Sequence, residues 1–311
     1  MSIYYGDDAI SHLAGKQHEK DEKSSSFWDE HHSSFNFKEV RFEGLSMLGS
    51  EARTFTNVQA AWHHIFQTPF RIMARNFLDF KTVNVAAKNI LSKQDKGYSM
   101  DVLRQVITLS YLNSKGVVKD KGTSCVIGDG YATMTSLLLE HNRQRVILVN
   151  LSKTLLVDIH YLKLLLKNNF NTDVMLVSNK NDMEAALLKE NNKPSVIVVE
   201  AVNHQLIQLC PIDLTINIAS MQEMNPEVVE EYFADISIAA KQHSSIFYCC
   251  NREEKILNDG EILKFRDYPW HLASQILDDE ICPWHQKYYS TKPPFYHNFD
   301  GDHYHRLVKF E

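Results

Sequence analysis

The chain has 311 residues, 44% of them hydrophobic and 23% charged, with a formal net charge of −6. That is ordinary for a globular protein, long enough for a large core, and it excludes a broad positive field for nucleic acid or anionic lipid. No apolar run approaches the ~20 residues that cross a bilayer, and Met1–Asp8 lacks the charged and apolar regions of a signal peptide. The five cysteines (Cys125, Cys210, Cys249, Cys250, Cys282) form no Cys-x-x-Cys pair. The expectation is a cytoplasmic protein with reduced core cysteines, no metal site and no membrane span.

In chain order, residues 1–40 read as a polar, irregular lead-in, with Lys16–Ser26 a mobile run of charge and serine. Residues 41–118 read as a helical cap packed on the sheet domain. Within it Ala60, Ala61, Ile65 and Phe66 share one helix face, and Ile72, Met73, Phe77 and Phe80 another. Ser99 is placed to cap a helix carrying Val102, Leu103, Val106, Ile107 and Leu109.

From residue 119 to 311 the rhythm is that of a Rossmann-like domain. Ser124 opens a short apolar strand that runs into Gly128-Asp129-Gly130, then a helix over Met134–Glu140 and a strand over Arg145–Asn150. Apolar residues at 155, 156, 159, 162, 165 and 166 predict a helix over Lys153–Asn168. A strand at Val174–Val177, a helix at Asp182–Glu190 and strands at Ser195–Val199 and Asp213–Ile218 come next. Asn225-Pro226 starts a helix, with Asn as N-cap and Pro in the first turn, and Ser245–Cys250 is the next strand. This alternation predicts a doubly wound, mostly parallel α/β sheet. The aromatic tail from Pro269 to Glu311 is expected to add edge strands and loops over the carboxyl end of the sheet.

A Gly-x-Gly turn between strand and helix brings backbone close to a ligand and aims helix N–H groups at a negative group. A dinucleotide fingerprint needs a third glycine, where Thr133 stands, and an acid ~20 residues on, which is missing. A nicotinamide cofactor is therefore disfavoured. A ligand without phosphates but with one carboxylate depends less on that glycine, and a plain structural turn remains the alternative.

Downstream, Leu148–Leu156, His160-Tyr161-Leu162, Asn203–Leu206, Asp213–Met224, Tyr232-Phe233, Phe247-Tyr248 and Asp267-Tyr268-Pro269 occur in one order. With these segments in that order, residues 122–270 resemble the sugar O-methyltransferase family, class I enzymes encoded with surface-polysaccharide genes; Ile216–Met224 is the most specific part. The resemblance implies S-adenosylmethionine as cofactor, a sugar or glycan hydroxyl as acceptor, and methyl transfer as the reaction. A homo-oligomer is compatible with it. Three positions depart from the family: Val126 and Asn150 stand where it has acidic residues, and Ala132 where it has a glycine. Those departures motivate an alternative, a catalytically silent partner or scaffold protein in a biosynthetic complex.

Carried onto this chain, the resemblance places the cofactor on Gly128, Asp129, Gly130 and Tyr131, the ribose on Asn150 and Leu151, and the adenine near His204 and Gln205. Asn217, a polar residue in an apolar strand, needs a partner and is a further cofactor candidate. Glu223 is the first candidate for general base, with His204 second and Gln222 beside it; a raised pKa would suit a buried carboxylate to that role. Glu223 as an acid near the positive end of the next helix is the competing reading. Arg252, Asp267 and Tyr268 are candidates for acceptor contacts, Arg252 through a bidentate pair with a carboxylated or phosphorylated sugar. The histidine-rich pieces (His31-His32, His63-His64, His297 to His305) lack any metal-ligand spacing.

Overall fold

The computed structural model describes residues 3–38, 41–44, 48, 54–189, 194–290 and 292–311. The expected lead-in boundary at residue 40 and the helix end at Glu190 lie outside the described residues. Nine strands form the central sheet. In chain order they are β1 (Tyr4–Tyr5), β2 (Thr123–Ile127), β3 (Arg145–Asn150), β4 (Val174–Val177), β5 (Ser195–Glu200), β6 (Leu214–Ile218), β7 (Ser245–Arg252), β8 (Gln275–Ile281) and β9 (His303–Phe310). The longer helices are α1 (Gly6–Gly15), α2 (Ser26–His32), α3 (Asn57–Ala74), α4 (Phe80–Gln94), α5 (Met100–Ser114), α6 (Thr133–Asn142), α7 (Ser152–Leu166), α8 (Lys180–Leu188) and α9 (Pro226–Ala240).

Across the sheet the order is β1-β4-β5-β3-β2-β6-β7-β9-β8. The strands from β4 to β7 run parallel, β1 is antiparallel at one edge, and β9 and β8 are antiparallel at the other. The doubly wound α/β expectation therefore holds. Strand residues alternate between two apolar layers. Val126, Leu148, Val198 and Ile216 face the helices α1, α4, α5, α6 and α7, and Cys125, Ile147, Val199 and Phe247 face the other side, with α9. Continuous β-branched runs such as Val196–Val199 are what a strand buried on both faces requires.

One expectation for the amino-terminal third changes. The lead-in is structured: β1 adds to the outer edge of β4, and α1 buries Ala9 and Leu13 against the sheet layer. The Lys16–Ser26 run is tied down by the Lys16 ammonium at 2.9 Å from the Glu200 carboxylate and by Asp21, which accepts from the Ser152 backbone N–H at 3.0 Å. The helical cap shares one apolar core with the sheet. Val102, Leu103, Val106 and Ile107 of α5 are 0% exposed and lie in the same cluster as Val126, Leu138 and Leu148. Ser99 does cap α5, its Oγ accepting from Val102 N–H at 3.2 Å.

The faces expected along α3 and the start of α4 hold only for Phe66, Phe77 and Phe80. Phe66, Phe70 and Ala74 point inward, whereas Trp62, Ile65, Ile72 and Met73 are exposed, as are Ala60 and Ala61. The reason is that α3 covers only one flank of α5 and the tail, so a narrow stripe suffices to bury it. Asn225 takes the N-cap position of α9 without a side-chain hydrogen bond.

Candidate functional site

After β5 the chain crosses to the far side of β2 and enters β6. The carboxyl ends of β2, β3 and β6 thus meet where connections leave in opposite directions, which is where an open sheet forms its ligand crevice. A crevice of about 260 Å³ lies there. Its floor is the turn after β2 (Gly128, Asp129, Gly130, Tyr131), with Asn150 from the end of β3 and Ser220, Gln222 and Glu223 after β6. Its far wall is Arg252, His285, Phe299 and His303 from the last strands and their loops. Trp28 of α2 and Asp101 and Arg104 of α5 complete it.

The glycine turn is built differently from the expectation. Gly128 has φ +74°, and a Cβ there would stand 1.9 Å from Ser220 Oγ. Its missing side chain lets the turn after β6 close in, so the glycine serves the approach of one loop to another at the crevice floor. The N–H groups at the start of α6 already have partners. Met134 and Thr135 donate to the Asp129 carboxylate at 3.1 and 2.7 Å, and Ala132 donates to Asp158 at 2.7 Å. Asp129 is thus an internal cap, and these donors are not presented to a ligand. Burial raises the pKa of Asp129, and burial together with the Asp129 charge raises that of Asp158 well above the usual carboxylate range. Ala132, where the resembled family has glycine, sits in the left-handed region at φ +49°. That conformation costs an L-residue roughly 1–2 kcal/mol.

Asn150 lines the crevice, as expected, but its amide is engaged. Its Nδ2 donates to Asp158 at 3.0 Å and its Oδ1 accepts from Leu151 N–H at 2.9 Å. A carbonyl oxygen has a second lone pair, so Oδ1 keeps one acceptor position for a hydroxyl. Leu151 helps wall a narrower slot of about 20 Å³ beside the crevice, with Val149, Met224, Val228, Tyr232, Lys23 and Trp28.

Glu223 sits at the crevice, half-buried, and burial pushes its carboxyl up to about 7 against the opposing charges of Lys255 and Arg252. That value suits a group that takes a proton near neutral pH. Gln222 is held by its own backbone frame: its Oε1 accepts from Arg252 N–H at 2.8 Å and its N–H donates to Asn251 at 3.2 Å.

Five of the residues expected at the site lie elsewhere. His204 is buried between carboxylates, with Nε2 at 3.0 Å from Glu231 and Nδ1 on Asp235, so both ring nitrogens are occupied within α9's packing and neither reaches the crevice. Gln205 is exposed on the outer face of the 201–209 segment. Asn217 spends its amide inside the fold, donating to Ile127 C=O at 3.0 Å and accepting from Asn251 Nδ2 at 2.9 Å and Met221 N–H at 3.2 Å. It ties β6 to β2 and β7, which is the partner its polarity demanded. Asp267 and Tyr268 line a separate shallow pocket with Pro226 and Val229, below the opposite helix layer. Arg252 does reach the crevice.

Several crevice residues carried only weak signals in the sequence. Arg104 is a cation inside an apolar helix, fixed by Asp101 at 2.7 Å and by the Trp284 and Lys287 carbonyls at 3.2 and 2.8 Å. Trp28 follows Phe27 in an otherwise polar segment, and His303 is marked only by its place among the histidine-rich pieces. Among the described residues one set of metal-type side chains converges, Cys250, Cys282 and His285, all buried and within 4.8 Å of one another. None of the three histidine-rich pieces belongs to it.

No protein-family model matches the chain, and no curated protein matches it. Among solved structures it is similar to magnesium protoporphyrin IX methyltransferase (ChlM) from Synechocystis PCC 6803 with bound SAM. The identity is 13%, the alignment covers 68% of this chain and 80% of that one, and the TM-score is 0.37. It is similar to MtNAS in complex with MTA and tNA at 11% identity, covering 97% of this chain and 95% of that one, with a TM-score of 0.37. A SAM dependent methyltransferase from Archaeoglobus fulgidus aligns at 11% identity over 66% of this chain and 94% of that one, with a TM-score of 0.34. These likenesses are distant, and the fold assignment stands on the strand order and crossovers of the chain itself. No helix among the described residues is long and apolar enough to cross a membrane.

Proposed function

We propose that the protein is an S-adenosylmethionine-dependent O-methyltransferase acting on a hydroxyl of a sugar or glycan precursor. The observation that carries this reading is Glu223: a half-buried carboxylate with its pKa raised to about 7, facing a crevice at the switch point of a doubly wound sheet. The sugar acceptor rests on the resemblance of residues 122–270.

The crevice suits a sulfonium methyl donor at the glycine turn. Gly130, at φ +87°, lines it, and a Cβ there would meet only Leu48, at 3.5 Å. Asn150 Oδ1 has one acceptor position for a ribose hydroxyl, weaker than a carboxylate's. When bound, the donor supplies a methyl carbon for in-line displacement. Glu223 takes the proton from the acceptor hydroxyl as the new O–C bond forms and the S–C bond breaks. Gln222, locked to β7, holds the Glu223 turn against the acceptor wall.

A second reading, a silent methyltransferase-like partner or scaffold, draws on one specific observation. The slot beside Asn150 is only about 20 Å³ and the α6 N–H groups are capped internally. Calorimetry with S-adenosylhomocysteine separates the two. Binding at micromolar to sub-millimolar concentration is expected, and no binding at millimolar excess sinks the enzyme reading. Once an acceptor is in hand, Glu223→Gln is expected to lower the rate by about 10²–10⁴-fold. The wild-type rate should rise with pH through about 7 as Glu223 deprotonates. A flat profile would remove Glu223 from the role of base.

A further inference from the structure

The far wall of the crevice is rich in nitrogen donors without partners. Arg252 ends β7 and pairs in register with His303, the first residue of β9. Directly opposed residues of an antiparallel pair have Cβ atoms roughly 4.5–5.5 Å apart. Among the described residues the Arg252 guanidinium has no hydrogen bond or ion pair, and its Nε is buried and unpartnered. The Phe299 ring lies 5.9 Å from it. His303 is 4% exposed and His285 6%; both line the crevice, and each keeps one buried ring nitrogen, Nδ1 and Nε2 respectively, without a partner. Phe299 packs on His303 at 5.1 Å and screens the group from water.

The surrounding charges are unbalanced. Arg104 is neutralised by Asp101 and held by two carbonyls. Asp129 is turned inward to cap α6. Glu223 is the remaining acid of the crevice, and its ionised form is disfavoured by burial. That leaves Arg252 without an ion pair among the described residues, facing only the through-space charge of Glu223. A half-buried guanidinium whose Nε is shut off from water and two buried imidazoles with free positions are costly unless something accepts their hydrogen bonds. Burial and the nearby Arg252 and Arg104 charges hold His303 down at about 3, so its ring is neutral and can donate from one nitrogen.

We infer that Arg252, His285 and His303 form an oxyanion subsite that holds a carboxylate or phosphate group of the acceptor, so that the acceptor is an acidic sugar or a sugar phosphate. This deepens the methyltransferase reading and rests on it for the word acceptor. The anion sits on the β7–β9 side, and the hydroxyl to be methylated points back toward Glu223 after β6. Arg252 supplies the charge and a planar donor fork, which selects oxyanions over neutral sugars. The anion also offsets the cation that otherwise faces Glu223.

The test is calorimetry on the full chain with D-glucuronate, glucose 1-phosphate and inorganic phosphate, and with neutral glucose as control. S-adenosylhomocysteine and methylthioadenosine, which lacks the amino-acid carboxylate, form a second arm. At least one of the acidic probes is expected to bind while glucose does not, and Arg252→Gln is expected to weaken it about ten- to a hundredfold with S-adenosylhomocysteine binding unchanged. His303→Asn, which keeps a donor but changes its reach, is expected to weaken the same probes and serves if Arg252→Gln does not fold. Equal affinity of wild type and both variants for every acidic probe overturns the inference. So does a loss confined to S-adenosylhomocysteine with methylthioadenosine unaffected, which would assign the subsite to the cofactor's own carboxylate. Anion binding without any S-adenosylhomocysteine binding would overturn the methyltransferase reading while leaving the oxyanion subsite in place.

Discussion

Gly128 is the residue whose side chain the site can least accept. A methyl group at that position meets Ser220 Oγ at 1.9 Å and Ser220 Cβ at 2.4 Å, at a φ of +74°. Gly128→Ala is expected to destabilise the fold by more than about 2 kcal/mol, the sum of left-handed strain and the clash. The double variant Gly128→Ala, Ser220→Gly should recover the clash and leave roughly 1 kcal/mol of strain, read from urea midpoints. His303 and Glu223 make opposite pH contributions. Between about 3 and 6.5 the folded state binds fewer protons at His303 than the unfolded state, so this contribution to stability falls as pH is lowered through that window. Between 4.5 and about 7 the folded state binds more protons at Glu223, so its contribution is lost as pH rises. His303→Asn should therefore flatten the acid limb of the stability profile and Glu223→Gln the limb approaching neutrality, measured by urea denaturation from pH 4 to pH 8.

At the scale of elements, the decisive piece is the segment from Lys16 to α2, which crosses the carboxyl ends of β3 and β5. Lys16 pairs with the buried Glu200, Asp21 caps α7, Ser25 Oγ donates to the Glu223 carbonyl at 2.5 Å, and Lys23 pairs with Glu231 at 2.5 Å. These contacts place Trp28 against the crevice. Among the described residues Lys16→Met leaves the buried Glu200 carboxylate with the Ser152 hydroxyl, which it shares with Asp21, as its hydrogen-bond partner. The expected cost is about 1–3 kcal/mol, as for a buried charge that loses a hydrogen-bond partner. Limited proteolysis should then cut sooner within residues 16–26; an unchanged digestion pattern would mean that the ion pair does not hold the segment. The segment's composition, charge and serine with few apolar residues, predicts mobility, and it is ordered because Lys16, Asp21 and Lys23 find partners far away in the chain.

At the scale of the whole molecule, helices before residue 118 and strands after it share one apolar core. Leu103→Ala is expected to cost about 2–5 kcal/mol, as for a fully buried leucine. Tryptophan fluorescence and far-UV dichroism should still report one coincident transition; two separated transitions would mean that the helical region folds as an independent cap. The elements from β2 to β7 are legible from local pattern alone, because buried parallel strands and their amphipathic helices write their periods locally. Arg145–Asn150 and Val174–Val177 are read to the residue. Glu223, Arg252 and the glycine turn are separate candidates in the sequence, and the strand order is what brings them to one rim. Which polar residues are already satisfied is set by the folded contacts. His204, Asn217 and Asp129 carry the composition of a site, yet their hydrogen bonds are used inside the fold. His204 and Asn217 find partners 27 to 90 residues away, and Asp129 takes the first N–H groups of α6. Hydrogen-bond capacity is a property of a residue type, but whether it is left over for a ligand depends on neighbours that the chain brings together only when it folds.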